Sequence, residues 1–423
     1  MEGNLTKKNY ILLAVVFLVT VICWLFTKPA HPISLIAQFS QLIAALALLG
    51  LAYVNFISTR HPMVDRLFNG IDKAYAFHKW LSVVSIVFVI VHIGIIVADN
   101  DLSRGTFVEE NSFGMMGWPS FILFSALVLV AILAKKIDYE AWKTIHKFFF
   151  LPYFIGLVHY YGCSDYAVLS LSPFSIWLNL INLIGIISIL YSILLYERTA
   201  FRYRYKISRI KSVAKDVIEI TGQATGKEIK FNPGQFTFLK LLYKGIKFPS
   251  HPFTISQAPK NGGIRFTIKN LGDHTANLVS KVKMGDEFAV TAPHGMFNYS
   301  KGSRHQIWIA GGIGIAPFIS FYQAGIPENF SVDFFYAYNN KEEGPYLEKI
   351  EDLNHGDNLR IHLIDFTEEG FLTVQKIKQR VNIENPVDVY FCGPKPMREN
   401  LKRNLKNSGL NVLNFHYEEF QFK

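Results

Sequence analysis

The chain contains 423 residues, enough for two or three domains, and half of them are hydrophobic. Its net charge of +10 at pH 7 could suit nucleic acid, but the basic residues flank long apolar runs, which indicates a membrane-facing surface instead. Two of the three cysteines lie in or beside these runs, so no disulfide framework is indicated.

Six apolar runs predict six transmembrane helices within residues 1–200. About 20 apolar residues are needed to span a hydrocarbon core about 30 Å thick. The fourth and fifth runs are short by this measure, and no run beyond Glu197 is long enough. The first run follows Lys7 and Lys8 like a signal peptide but lacks a small-residue cleavage pattern, so we interpret it as a retained anchor. The runs cover residues 10–27, 33–57, 75–98, 119–134, 145–161 and 174–196.

The positive charges beside the runs predict the orientation of the chain. One side carries only Lys28 and Arg104. The amino terminus and everything after residue 197 are therefore expected in the cytoplasm, in a multi-pass protein of the cell membrane. The other side carries Lys7, Lys8, Arg60, Arg66, Lys73, Lys135, Lys136, Lys143, Arg198, Arg202 and Arg204.

Two pairs of histidines lie inside the apolar runs. His78 and His92 are 14 residues apart in the third run, and His146 and His159 are 13 residues apart in the fifth. Ionisable side chains in a membrane indicate function, although a single one could be a packing or proton-relay residue. On a helix this spacing corresponds to roughly 20 Å, so each run offers one imidazole at each of two depths. We predict two haems, with His78 and His146 on the inner one and His92 and His159 on the outer.

The helical phase of the second pair does not fit a straight helix. Fourteen residues bring His92 to within about 40° of the face of His78, but thirteen leave His159 about 140° away from His146. Pro152 lies between the latter two and could kink the helix there. The alternative is that the two haems are approached from different directions.

From residue 201 onward the pattern changes to strands broken by turns, first antiparallel and then alternating with helices. Strands at 205–210, 217–221, 236–242, 253–256, 264–269 and 287–292, with a short helix after Asp273, predict an antiparallel β-barrel domain. Strands at 306–310, 332–338, 359–364, 387–391 and 412–416, separated by helices at 317–323, 346–353, 373–380 and 395–405, predict a doubly wound α/β domain.

Three motifs in this half have the composition of nucleotide sites, though each has a structural alternative. A glycine loop after the first parallel strand can approach a pyrophosphate, or can be a tight turn. A cysteine follows a later strand at the edge where such sheets bind ligands. A proline-containing strand in the barrel can hold a flavin or be an ordinary edge strand. The motifs are Gly311, Gly312, Gly314 and Pro317; Cys392, Gly393 and Pro394; and His251, Pro252, Phe253, Thr254 and Ser256.

In this order, the histidine pairs and the three motifs resemble the NADPH oxidase and ferric reductase superfamily over nearly the whole chain, and its compact bacterial NADPH oxidase homologues most. The resemblance implies a haem domain at 1–200, followed by an FAD-binding barrel at 201–300 and an NAD(P)H-binding α/β domain at 301–423. The last two domains together form a module similar to ferredoxin reductases. It implies that residues 251–254 contact FAD, and that Gly272 and Thr275 meet its pyrophosphate. The ending Glu418-Glu419-Phe420 resembles the terminal aromatic motif that stacks on the flavin, with Phe422 as a rival.

The resemblance implies an oxidase that passes electrons from NADPH or NADH through FAD and two b-type haems to external O₂, producing superoxide, with no obligate protein partner. An outward-facing ferric-chelate reductase needs the same parts and stays open. An electron-transfer subunit for a partner protein is less favoured because flavin and nucleotide modules are both present, and a proton or cation channel needs neither. Lys341 follows the second parallel strand, where a 2′-phosphate could be recognised, so it slightly favours NADPH.

Overall fold

The computed structural model describes residues 3–98, 112–166, 168–243, 246–259, 262–351, 358–381 and 385–418. The chain forms two compact units, with the boundary between Arg198 and Thr199. We call them the helical unit and the sheet unit.

The helical unit consists of helices joined by short turns. Two 3₁₀ turns, Leu133–Lys136 and Lys147–Phe149, and one π turn, Tyr191–Leu195, interrupt the α-helical segments. The helices are α1 Gly3–Leu25, α2 Leu35–Ser58, α3 Pro62–Phe68, α4 Ile71–Ala98, α5 Ser112–Met115, α6 Gly117–Ile132, α7 Tyr139–His146, α8 Phe150–Cys163, α9 Pro173–Leu190 and α10 Tyr196–Thr199.

Polar side chains fix where several of these helices begin. The Ser34 hydroxyl accepts a hydrogen bond from a backbone N–H in the first turn of α2, and Ser172 does the same for α9, where Pro173 takes the first position. The Asp138 carboxylate accepts from two N–H groups at the start of α7. These groups have no partner within their own helix, so each cap stabilises a defined starting residue.

Helix α2 lies at the centre of the helical unit, where it packs against α4 and α9. Its Ala45 and Ala52 are buried, and small side chains of this kind let neighbouring helices approach closely. By contrast, α4 leaves Val83, Val87 and Ile90 exposed. Exposed apolar side chains on a long helix are expected where the surroundings are lipid.

Four helical segments of the described residues are long and apolar enough to cross a membrane. They are Leu35–Ser58, Ile71–Ala98, Ser112–Ile132 and Pro173–Thr199, which correspond to the second, third, fourth and sixth predicted spans. The first and fifth runs also form helices, but the apolar part of α1 and the 14 residues of α8 are shorter. The six-span topology is therefore supported for four spans and stays a prediction for the other two.

The first part of the sheet unit, which we call the antiparallel lobe, covers residues 203–290. Its strands follow the order β4-β3-β7-β1-β2-β6, with β5 paired to β3, and all pairs are antiparallel. A bridge between Ile255 and Phe266 links the end of β5 to β6. The elements are β1 Tyr203–Ala214, β2 Val217–Ala224, β3 Phe236–Tyr243, β4 Ile246–Lys247, β5 His251–Thr254, β6 Gly263–Lys269, α11 Asp273–Lys281 and β7 Glu287–Val290.

The second part, the parallel lobe, covers residues 305–417 and is the predicted doubly wound sheet. Its five strands are all parallel in the order β10-β9-β8-β11-β12, so the strand order reverses direction between β8 and β11. The elements are β8 His305–Gly311, α12 Ala316–Ala324, β9 Ser331–Tyr338, α13 Leu347–Glu351, β10 Leu359–Asp365, α14 Phe366–Glu369, α15 Val374–Arg380, β11 Val387–Cys392, α16 Lys395–Lys406 and β12 Val412–Tyr417.

Candidate functional site

The four membrane histidines meet in two pairs in the helical unit. The ring centres of His78 and His146 are 6.3 Å apart with their planes inclined by 50°, and those of His92 and His159 are 6.2 Å apart at 63°. His78 and His92 lie on the single helix α4, whereas their partners lie on α7 and α8. These are the combinations that the sequence predicts.

The phase mismatch between His146 and His159 is absorbed by the 3₁₀ turn Lys147–Phe149, which separates α7 from α8. Pro152 itself lies in the first turn of α8, where its missing N–H has no helical partner to lose. Its ring excludes the carbonyl of the residue four positions earlier, and that residue, Phe148, lies inside the 3₁₀ turn. The effect of Pro152 on the backbone therefore falls in the 3₁₀ turn before α8, about one helical turn before the proline itself.

Backbone carbonyls orient three of the four imidazoles. A carbonyl next to Nδ1 accepts its hydrogen, which leaves the lone pair of Nε2 available to a metal. Nδ1 of His146 has no hydrogen-bond partner among the described residues. The three contacts are His78 Nδ1 to Val54 O at 3.3 Å, His92 Nδ1 to Ser40 O at 3.1 Å and His159 Nδ1 to Phe113 O at 2.9 Å.

The space between the paired rings fits a metal held by both. A metal to imidazole nitrogen bond of about 2 Å on each side, plus about 1 Å from each nitrogen to its ring centre, gives about 6 Å. This agrees with the 6.2 and 6.3 Å observed. No group of three or more His, Cys, Asp or Glu side chains positioned for a metal occurs in the described part of the chain. A haem needs only two protein ligands because its macrocycle supplies the others.

A cavity of about 480 Å³ lies at the outer pair and is lined by both His92 and His159. Most of the other lining side chains are apolar, from α2, α4, α6 and α8. Gly117, at the start of α6, lies against the His159 ring, where a Cβ atom would come within 3.0 Å of Cε1 and 3.2 Å of Nε2. The glycine therefore leaves the space that the imidazole needs, which a sequence pattern of histidines alone does not reveal.

In the sheet unit, the glycine loop and the cysteine motif meet where the strand order reverses. Gly311 ends β8, and a Cβ there would lie 2.8 Å from Pro394 Cδ and 3.4 Å from the Gly393 Cα. A Cβ on Gly314 would collide with the carbonyl of Cys392. Pro317 follows in the first turn of α12, which starts directly after this loop. The two motifs thus form one crevice at the carboxyl ends of β8 and β11, where doubly wound sheets bind dinucleotides.

Cys392 is buried at the end of β11. Burial raises the pKa of its thiol, and the neighbouring Glu418 carboxylate raises it further, so the sulfur stays protonated at neutral pH. A protonated thiol is a weak nucleophile.

The carboxyl-terminal segment approaches the antiparallel lobe. A Cβ on Gly295 would collide with Glu418 Oε1 and would lie 3.2 Å from Phe236, whose strand partner is Thr254. The first residue of the terminal motif therefore lies close to the strand that carries residues 251–254. Phe420, the alternative Phe422 and Arg104 lie outside the described residues.

Residues 251–254 form β5, which pairs with β3 along its length, and all four side chains are half-buried. The ring of His251 stacks on His274 of α11, with 3.4 Å between ring centres and 19° between planes. This contact joins two motifs that the sequence treats separately. Two backbone N–H groups, of Leu271 and Gly272, donate to the Thr275 hydroxyl just before the helix.

Ser256 lies deeper than the rest of its motif. Its side chain is fully buried, and its hydroxyl is 3.3 Å from the carbonyl of Arg265 and 2.8 Å from the Thr267 hydroxyl. The Ser256 hydroxyl makes these bonds inside the lobe, so the residue stabilises β5 from its buried side.

Three family models match the chain. The ferric reductase like transmembrane component matches residues 42–157, the FAD-binding domain residues 202–309 and the oxidoreductase NAD-binding domain residues 308–403. This is the domain architecture of the NADPH oxidase and ferric reductase superfamily, to which the chain belongs. A membrane-embedded helical domain joined to a flavin and pyridine-nucleotide module implies NAD(P)H-dependent electron transfer, and the protein is an oxidoreductase.

Relatives share part of this architecture. The chain is 25% identical over 230 residues to the toluate 1,2-dioxygenase electron transfer component of Pseudomonas putida, covering 52% of this chain and 67% of that protein. It is 28% identical to the 2-halobenzoate 1,2-dioxygenase electron transfer component of Burkholderia cepacia, covering 46% and 60%. It is 24% identical to a flavohemoprotein of Pseudomonas aeruginosa, covering 51% and 58%. Only part of each relative is therefore shared.

Proposed function

We propose that the chain is a transmembrane NAD(P)H oxidase of the compact bacterial type. It oxidises cytoplasmic NADPH or NADH and reduces O₂ on the outer side of the cell membrane. One NAD(P)H and two O₂ give one NAD(P)⁺, two superoxide ions and one proton. The observation that carries the proposal is the two imidazole pairs, 6.2 and 6.3 Å between ring centres, in a chain that also has flavin and nucleotide domains.

His78 and His146 would hold the inner b-type haem, and His92 and His159 the outer one. When bound, NAD(P)H supplies a hydride, FAD divides the electron pair, and the two haems carry single electrons outward. Helix α4 runs without a break from Ile71 to Ala98, so it holds the two levels roughly 21 Å apart along its axis. His92 and His159 would both bind the iron of the outer haem, so the chain would offer an external acceptor no vacant ligand position on that iron.

The crevice of the parallel lobe would hold NAD(P)H. Gly311, Gly312 and Gly314 let the backbone approach the pyrophosphate, and the amino terminus of α12 at Pro317 favours its negative charge. Gly393 and Pro394 form the opposite wall, which supports a nicotinamide position beside Cys392. Lys341, after β9, has an exposed side chain 3.7 Å from Glu368 and could meet a 2′-phosphate, which favours NADPH.

The antiparallel lobe would hold FAD along β5, with His251, Pro252, Phe253 and Thr254 against the flavin and Ser256 behind them. Gly272 and Thr275 would lie at the pyrophosphate, at the start of α11. Phe420 would cover the isoalloxazine ring from the carboxyl terminus. The contact of His251 with His274 supports this placement because it brings the two predicted FAD segments together.

The proposed orientation of the protein in the membrane rests on the positive charges that flank the helical segments. By the positive-inside rule, the amino terminus and the sheet unit would lie in the cytoplasm, in a multi-pass protein of the cell membrane with six spans. In this orientation α4 runs outward, so His78 lies at the cytoplasmic level and His92 at the outer level.

The test uses the full-length protein purified in detergent with FAD. Adding NADPH without oxygen should reduce the flavin and then both haems, seen as the sharpened absorbance bands of ferrous haem. In air, reduction of added cytochrome c should be largely abolished by superoxide dismutase. A rate that the dismutase barely lowers, combined with faster turnover on ferric chelates, would instead favour the ferric-chelate reductase. Absence of haem reduction by either nucleotide would overturn both assignments.

A further inference from the structure

The segment after β9 joins the two lobes of the sheet unit. Residues 339–346, which we call the β9 loop, leave the parallel lobe at the strand end where dinucleotides bind. The carbonyl of Glu342 accepts a hydrogen bond of 2.8 Å from the backbone N–H of Lys215, in the turn between β1 and β2. The carboxylate of Glu343 lies 3.5 Å from Lys269 Nζ at the end of β6. The loop is therefore held by the antiparallel lobe at two points.

A third contact is buried and belongs to Tyr346, the last residue of the loop. Its hydroxyl donates to Glu219 Oε2 of β2 at 2.7 Å and lies 2.6 Å from Thr267 Oγ1 of β6. Arg265 Nε lies 3.5 Å from the same carboxylate oxygen. Tyr346, Glu219 and Thr267 are all at most 7% exposed. A buried carboxylate is costly unless donors surround it, so this contact holds the two lobes in one arrangement.

The Tyr346 hydroxyl keeps its proton and can donate a hydrogen bond at physiological pH. Burial raises the pKa of Tyr346, and the charge of Glu219 raises it further, so the proton stays on the phenol throughout the physiological range.

The backbone of Tyr346 is strained to make this contact. Its φ is +67°, in the left-handed region that a bulky side chain rarely adopts. Such a conformation persists only where the surroundings fix it. The ring packs in the core of the parallel lobe with Tyr336, Tyr338 and Leu347, whereas the hydroxyl bonds to the antiparallel lobe. The residue therefore belongs to both lobes at once.

We propose that Tyr346 is a positioning residue for hydride transfer: it fixes the β9 loop, and with it the bound NAD(P)H, relative to the flavin in the antiparallel lobe. This inference rests on the proposed function of the sheet unit. Hydride transfer needs the two rings in contact and aligned, so a small rotation of one lobe against the other lowers the rate without removing either cofactor site.

The experiment measures flavin reduction by NADPH in the full-length protein, by anaerobic stopped flow, as a rate per bound flavin. Tyr346→Phe removes only the hydroxyl. Tyr299→Phe is the matched control because its buried hydroxyl donates to the carbonyl of Gly325 at the end of α12, outside the β9 loop. We expect Tyr346→Phe to slow flavin reduction at saturating NADPH about tenfold or more, since misplacement by about 1 Å can cost roughly 100-fold. Tyr299→Phe should stay within about twofold of wild type at a similar loss of thermal stability.

Two further measurements separate positioning from a general structural role. With NADPH deuterated at the transferred position, the isotope effect on turnover should rise in Tyr346→Phe because hydride transfer becomes rate-limiting. Glu219→Gln, which keeps an acceptor but removes the charge, should slow flavin reduction less than Tyr346→Phe. Equal rates per flavin in wild type and Tyr346→Phe, or an equal slowing in Tyr299→Phe, would overturn the positioning role alone. Failure of the wild-type flavin to be reduced would overturn the proposed function, and the inference with it.

Discussion

Gly117 offers a sharp test of the proposed outer haem site because one added carbon atom at this position would crowd the His159 imidazole. In Gly117→Ala, the new Cβ would lie 3.0, 3.2 and 3.3 Å from Cε1, Nε2 and Nδ1 of His159. Carbon atoms normally pack at about 3.5–4.0 Å, so either the imidazole or the start of α6 has to move by about 0.5 Å. The affected atoms include Nε2, the nitrogen that would bind the iron in the proposed site.

Overpacking of this kind costs about 1–3 kcal/mol, which corresponds to outer-haem binding that is roughly 5- to 150-fold weaker. Gly94→Ala is the matched control because Gly94 lies two residues from His92 on α4, where a Cβ meets nothing within 4 Å. Titration of haem into the purified apoprotein, followed by the Soret band, measures the affinity. If Gly117→Ala binds both haems as tightly as Gly94→Ala does, the placement of His159 against α6 is wrong.

Three further outcomes are expected. His159→Ala should lower the ratio of haem to protein from about two to about one while NADPH still reduces the flavin, and a variant that keeps both haems would refute the pairing. Phe420→Ala should change KM or the preference between NADPH and NADH with the flavin retained, whereas an effect confined to Phe422→Ala would move the aromatic role to that residue. Burial alone would raise the pKa of Asp333, but hydrogen bonds from a histidine and from Arg360 lower it on balance. Its contribution to stability is therefore present above pH about 4 and lost below, so Asp333→Asn should cost about 1–3 kcal/mol at pH 7 and less near pH 3, measured by thermal unfolding at each pH.

The elements of the parallel lobe could be predicted closely because each signal is local. Strands β8, β9 and β11 are apolar runs, and their bounds lie within about one residue of the prediction. The two-residue strand β4 Ile246–Lys247 was not predicted, since so short a segment has no periodicity.

The pairing of the membrane histidines could be predicted from depth alone, but their phase could not. Depth depends only on the number of residues, whereas the face on which His159 lies depends on the 3₁₀ turn before α8. The contacts that complete the sites could not be predicted from the sequence either. Tyr346 and Glu219 are 127 residues apart, and nothing in the local pattern indicates that an aromatic residue adopts a positive φ.

The uninterrupted helix α4 and its broken partner differ in how they tolerate a change of chain length. Inserting one residue between His78 and His92 would turn the second imidazole by about 100° and shift it by about 1.5 Å, with no turn nearby to absorb the error. Between His146 and His159, a 3₁₀ turn can gain or lose a residue by becoming α-helical or by lengthening. A spacing of 14 on the first helix should therefore be nearly invariant among related chains, whereas the second spacing should be found at 12, 13 or 14.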